Sequence, residues 1–278
     1  MMMSRYLNIG LTLKLLLLSM LMTAQSAMGL SLDGNYIQGG MLIGQVVPGA
    51  SVEFNGKPLK VSKNGEFLLG FDRDAPLEHK LVVRRDGQPQ QSRLFTIEKR
   101  EYQIQNITGL PPSKVTPPKR NWDRIKKEVA QVKQARKLNE DRDDYRSGFI
   151  WPSKGRISGV YGSQRVLNGK PKRPHYGVDV AAPVGTLVVS PADGVVTMTH
   201  SDMFYSGGTL IIDHGLHLSS SFLHLSKILV EDGQVVKQGD PIAEIGATGR
   251  VTGPHLDWRM NLGAARIDPQ LLVPSMPE

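Results

Sequence analysis

Turn signals recur about every ten residues from Phe149 onward and are nearly as frequent before residue 107, a spacing that leaves room for short strands and little else. Asn55-Gly56, Asn64-Gly65 and Asp86-Gly87 in the first half have the φ > 0 preference of tight hairpins, and Asp232-Gly233 and Gly239-Asp240 punctuate the second. Between these turns lie β-prone runs at 41–43, 51–54, 65–69, 80–83 and 92–97, then at 186–190, 194–199, 209–213, 219–225, 235–236 and 242–245. The expected fold class is therefore mostly β: a small antiparallel sandwich over 30–107 and a sandwich or barrel over 149–278. One segment breaks the pattern. Residues 108–120 hold two Pro pairs, which forbid helix and disfavour strand, so an extended linker is expected there. Asn121 then caps a predicted helix running to about Tyr145, with Trp122, Ile125, Val129 and Val132 on one face, the single helix of a linker region over 108–148, packing on a neighbouring domain.

Composition narrows the chemistry. At 278 residues, 40% hydrophobic and 22% charged, the chain has enough material for one large or two ordinary domains and is neither disordered nor a multi-span membrane protein. It has no Cys, which excludes a disulfide scaffold, a thiolate zinc site, a cysteine nucleophile and a lipid-modified N-terminal Cys; any metal must be held by His and carboxylates. Arg5 and Lys14 precede an apolar run at 15–22 and a small-residue stretch, Thr23-Ala24-Gln25-Ser26-Ala27-Met28-Gly29, the layout of a cleavable signal over 1–29. Cleavage is expected after Ser26 or Gly29, and it lowers the formal charge from +8 to +6. The predicted location is the periplasm or the exterior, where a basic protein meets anionic envelope polymers rather than nucleic acid. Lys and Arg are spread along the chain without aromatic interleaving, so no nucleic-acid partner is expected.

Six of the seven His fall within 175–255. His175 and Asp179 are four apart and His255 and Asp257 two apart, and even spacing in an extended segment turns both members of a pair to one face. His224, within Phe222-Leu223-His224-Leu225-Ser226, adds a third imidazole on a run that otherwise reads as core. Ser219 to Ser221 near His214 and His217 invite a serine-nucleophile reading, but no motif supplies the orienting acid. Asp72 and Asp74 read as solvated turn residues, and His79 is the only His of the first half.

These residues carry a resemblance. From about Phe149 to Leu272 the chain resembles the lysostaphin-type (LytM-like) zinc metallopeptidases, which cut peptide cross-links of peptidoglycan. The matching segments are Arg173-Pro174-His175-Tyr176-Gly177-Val178-Asp179, Phe222 to Ser226, and Gly246-Ala247-Thr248-Gly249 through Gly253-Pro254-His255-Leu256. The resemblance implies one zinc ion per chain, His175 and Asp179 as ligands, His224 and His255 as catalytic imidazoles, and hydrolysis by a metal-activated water without a covalent intermediate. The remaining family ligand is a His two residues after His255, where this chain has Asp257. Asp257 is taken as the third ligand, and a second carboxylate in the set is expected to weaken carbonyl polarisation and to favour harder metals. Tyr161, Arg165 and Asn168, upstream of the first ligand, are candidate substrate-groove residues, with Arg165 meeting a substrate carboxylate.

The expected activity is thus that of an exported metalloendopeptidase acting on peptidoglycan peptide stems. The alternative is a metal-free relative that binds and activates another cell-wall hydrolase, with an envelope protein as partner. Two barrel-like stretches at 191–196 and 232–240 resemble biotinyl and lipoyl carriers, but no Lys stands between them in an attachment motif. Whether the linker helix or the accessory domain covers the groove is left to the structure.

Overall fold

The structure, a computed structural model, describes residues 29–276; the signal segment lies outside the described residues, apart from Gly29. Strands dominate it. The accessory region packs a three-stranded sheet, Ser31–Gly34, Met41–Gln45 and Glu66–Gly70, on a four-stranded one built from Ser51–Phe54, Lys57–Pro58, Glu78–Arg84 and Gln91–Thr96. Its core alternates out of these strands as Leu42, Val52, Phe67, Leu69, Phe71, Leu81 and Val83. The Asn55-Gly56 turn takes the expected left-handed conformation at both residues, φ 49° and 77°. His79 is buried between Phe54, Phe71 and Phe95 and meets Asn55 Nδ2 through Nδ1.

The second half is a larger sheet in the order Val235–Val236, Gly194–Met203, Gly207–Asp213, Leu218–Ile228, Leu256–Leu262, Val178–Ala181 and Arg156–Gly159. Pro241–Ile245 pairs with Leu187–Val189 and with the far end of Leu218–Ile228, folding the sheet over a core that includes Val180, Leu210, Phe222, Ile245 and Trp258. All the neighbours here are antiparallel, as the short turns require.

The two halves share this core. Met41 and Leu68 of the accessory sheet belong to the same buried cluster as Val178 and Met260, Arg100 pairs with the buried Asp268, and Asp72 accepts a hydrogen bond from the Arg266 backbone. Asp72 is exposed at a turn, as expected, and adds a tie between the halves. The strand Ile104–Ile107, expected as the end of the accessory region, runs parallel to Gln164–Leu167 of the second half.

The linker departs from expectation in two places. Pro112 opens a helical turn, Pro112–Val115, because the first helical position needs no N–H donor. Leu110 and Val115 are buried against Leu167, so the segment docks instead of spanning free space. The long helix covers only Trp122–Ala135, ten residues short of the predicted end, and the Asn121 side chain makes no cap bond. Beyond it the chain is held by tertiary bonds: Arg142 pairs with Asp213, and the Glu140 carbonyl accepts from Leu216 N–H. Val132 and Ala135 pack on Met198, Met203 and Ile211, whereas Trp122 and Val129 stay 48% and 49% exposed.

The Ser–His pair of the sequence exists, but it is structural. His214 Nε2 lies 2.7 Å from Ser220 Oγ, Nδ1 donates to the Asp193 carbonyl at 2.6 Å, and both residues are fully buried. Both ring nitrogens are satisfied by the neutral form, and burial pulls the imidazole down to about 4. Between pH 6.5 and 4 the unfolded chain therefore takes up a proton that the folded chain refuses, and stability falls as pH falls. We predict that His214→Gln loses about 3 kcal/mol of this pH dependence in urea unfolding between pH 6.5 and 4. Asp213, raised to about 6 by burial, works in the opposite sense in both proteins, so the difference isolates His214. Parallel pH profiles for the two proteins would refute the assignment.

Candidate metal centre and active-site groove

His175 precedes the strand Val178–Ala181 and Asp179 lies on it, while His255 precedes the strand Leu256–Leu262 that carries Asp257. The register places Asp179 directly opposite Asp257. Two carboxylates facing each other across an antiparallel ladder, 5% and 0% exposed, repel unless cations sit among them. Room for them is made by glycines: a Cβ at Gly159 would collide with the Asp179 carboxylate, and one at Gly177 with that of Asp257.

Ligand atoms of His175, Asp179 and Asp257 all lie within 4.8 Å of one another. His175 Nε2 is 2.9 Å from Asp179 Oδ1, yet neither these two atoms nor His175 Nδ1 has a hydrogen-bond partner, although all three are buried. Buried polar atoms are almost always satisfied. Donors that converge without bonding to each other are what a cation site requires, and one nitrogen with two carboxylates is an acceptable set for zinc. The residues fit the metal that the resemblance implies.

Each carboxylate is also gripped from behind by an arginine. Arg165 donates to Asp179 Oδ2 at 2.5 Å, and Arg259 holds Asp257 with a fork, Nε to Oδ1 at 2.9 Å and a terminal N–H to Oδ2 at 2.5 Å. Burial alone would raise the Asp257 carboxyl, but Arg259 and then His175 overrule it and hold it well below the usual range. This changes the expectation for the altered ligand. Arg259 cancels the charge of Asp257, so the pair presents the net charge of a neutral His, and the predicted weakening of the centre does not follow. Arg259 was missed in the sequence, although its position two residues after Asp257 on one strand face was the available signal.

His224 and His255 stand beside this cluster with ring centroids 4.9 Å apart. Each is oriented from behind, His224 Nδ1 donating to the Thr248 carbonyl at 2.8 Å and His255 Nδ1 to that of Gly253 at 2.9 Å. Both Nε2 atoms are left as acceptors, and that of His255 lies 3.9 Å from Asp179 Oδ1. His224 has φ +67°, rare for a residue with a Cβ, and adjacent register shifts in the strand bend it toward the groove. A Cβ at Gly246 would press on the His224 carbonyl, so the small residue there permits the bend. Burial drops the His224 imidazole to about 4, which leaves it neutral at physiological pH.

The groove itself is a cavity of about 680 Å³ between the sheet and the long helix, with Ile125, Val129, Val132 and Arg136 on one wall and His175, His224 and Asp257 on the other. The helix walls it without filling it. Of the predicted substrate residues, Arg165 lines this cavity, but its guanidinium is committed to Asp179. Tyr161 is 1% exposed, with its hydroxyl donating to the Arg266 carbonyl, so it is anchored within the second half and does not line the groove. Asn168 forms a turn with Gly169 and exchanges two hydrogen bonds with the Leu110 backbone, which fixes the linker.

An imidazole and two carboxylates flanked by two oriented imidazoles, at the floor of a groove in an antiparallel β domain, are an arrangement that could hold a metal ion beside two proton-accepting groups. Residues 173–269 match the model of peptidase family M23. Peptidoglycan DD-endopeptidase ShyA of Vibrio cholerae is 47% identical over 110 residues, 39% of this chain and 25% of that protein. Peptidoglycan DD-endopeptidase ShyB of the same organism is 47% identical over 87 residues, 31% of this chain and 20% of that protein. The chain thus spans a quarter or less of the length of these relatives. A putative peptidase M23 from Pseudomonas aeruginosa superposes with a TM-score of 0.65 at 28% identity, covering 85% of this chain and 94% of that one, the accessory half included.

Proposed function

We propose that this chain is an exported zinc endopeptidase that hydrolyses peptide cross-links of peptidoglycan. The observation that carries the reading is the convergence of buried ligand atoms on His175 and Asp179 that make no hydrogen bond, opposite Asp257, at the floor of an open groove. The names of the matched relatives support the substrate class, and the three-part layout of residues 1–29 supports export. Zinc held by His175, Asp179 and Asp257 would supply Lewis acidity and a water acidic enough to react near neutral pH. The chain's own residues do the rest. His224, neutral and bare at Nε2, accepts a proton of the attacking water and passes that same proton to the leaving amine; His255, also bare at Nε2 across the ring contact, accepts the water's other hydrogen and orients it. The Thr248 and Gly253 carbonyls hold both rings in the required tautomer.

A second reading, a metal-free activator of another hydrolase, is favoured by one feature: Arg165 and Arg259 already compensate both carboxylates. A single experiment separates the two. Protein lacking residues 1–29 is incubated with purified peptidoglycan, with zinc or with a chelator, and released muropeptides are read by mass spectrometry. The hydrolase reading expects peptide-linked products that fall by about a hundredfold or more with the chelator. Absence of both bound zinc and products would leave the activator reading.

A further inference from the structure

The cavity holds more positive charge than its surroundings neutralise. Eight Lys and Arg side chains line it against two carboxylates, Glu128 and Asp257. Both acids are engaged, Glu128 by Arg124 and the Phe204 N–H, Asp257 by Arg259. Arg165 is likewise taken up by Asp179.

Two other guanidiniums of the lining are less fully engaged. Arg136, just past the end of the long helix, donates one bond to Ser221 Oγ at 2.8 Å, and its buried Nε has no partner. Arg266 reaches only the Asn261 side-chain oxygen at 3.3 Å and lies 5.6 Å from the Tyr176 ring centre. Neither forms an ion pair among the described residues. Burial, then Arg266 and Arg259, bring the Arg136 guanidinium down to about 9, and burial followed by Arg259 lowers that of Arg266. Desolvated like charges held together without a counter-ion destabilise a fold, and they become favourable contacts when an anion enters between them.

We propose that Arg136 and Arg266 form a subsite for a free peptide carboxylate. It sits in the same cavity as His224, so a peptide whose carboxylate it holds is oriented for cleavage beside the imidazoles. The planar fork of arginine suits a carboxylate, and the inference rests on the hydrolase reading only for the identity of the peptide. It also gives the long helix a task. Arg136 brings the linker into substrate recognition, making the helix a working wall of the groove.

The test uses zinc-supplemented full-length mature protein and two probes, N-acetyl-D-alanyl-D-alanine and its C-terminal amide, with affinities measured by calorimetry. The acid is expected to bind roughly tenfold or more tightly than the amide. Arg136→Gln and Arg266→Gln should each abolish that preference, and Arg136→Lys should keep part of it. Because the removed charges are unpaired, the Gln variants should melt at the same temperature as the parent or higher, whereas a merely structural arginine would lower it. The preference should persist after chelation, since the arginines and not the metal hold the carboxylate. Equal affinities, or a preference lost on chelation or retained in both Gln variants, would overturn the subsite. Peptidoglycan hydrolysis without the preference removes the subsite alone; the preference without hydrolysis removes only the hydrolase reading.

Discussion

Replacing His175 with Ala is expected to remove bound zinc and to lower peptidoglycan hydrolysis on the order of a thousandfold. His175 is 1% exposed and brings the only imidazole into the three-residue cluster, and neither of its ring nitrogens is used by a hydrogen bond. Without it Asp179 and Asp257 face each other across the ladder with only Arg165 and Arg259 to separate them. Elemental analysis should read about one zinc per parent chain and near none in the variant. Asp257→Ala tests the altered ligand, and unchanged zinc and activity would take Asp257 out of the set. Arg259→Gln should weaken zinc binding by roughly 10–100-fold, the effect of losing a residue that orients a ligand. If the His175 variant keeps its zinc, the centre is elsewhere.

The second large effect is on stability. Trp258→Ala should destabilise the protein by about 3–5 kcal/mol in denaturant unfolding. Trp258 is fully buried between Val178 and Phe222 on the neighbouring strands and meets Trp151 edge-on, with ring centroids 5.9 Å apart. It also separates Asp257 from Arg259 along the strand, so its loss should loosen the site as well as the core. Its indole Nε1 is buried and makes no hydrogen bond, so Trp258→Phe forfeits only volume and should cost under about 1.5 kcal/mol. Equal losses in the two variants would mean that the ring is not what the core relies on.

The legible parts of the site were those written in local pattern. His175 and Asp179, His255 and Asp257 sit at even spacing, and in the structure each pair straddles the start of a strand, with His175, Asp179 and Asp257 converging and His255 Nε2 3.9 Å from Asp179 Oδ1. The unreadable parts depend on partners far away in the chain. Arg165 looked free to meet substrate because nothing near it in sequence is acidic, yet Asp179 lies across the fold and takes it. Tyr161 and Asn168 were placed near the first ligand by sequence distance, while their hydroxyl and amide face Arg266 and Leu110. Arg136 carried no local signal, because its role arises where the linker crosses the groove.

What the sequence by itself determined is the β character, the turn positions and the residue types offered to a metal, since alternation, left-handed turns and the absence of Cys act over a few residues at a time. Tertiary structure decided where the helix stops, because the Arg142 ion pair with Asp213 draws the following segment onto the sheet. It also decided that the accessory sheet shares a core with the second half and that Asp257 stands opposite Asp179 with Arg259 at its back. Apart from the Asp257–Arg259 pair, which is local, those outcomes come from burial and charge compensation between segments remote in the chain, and such terms leave no trace in the spacing of neighbours.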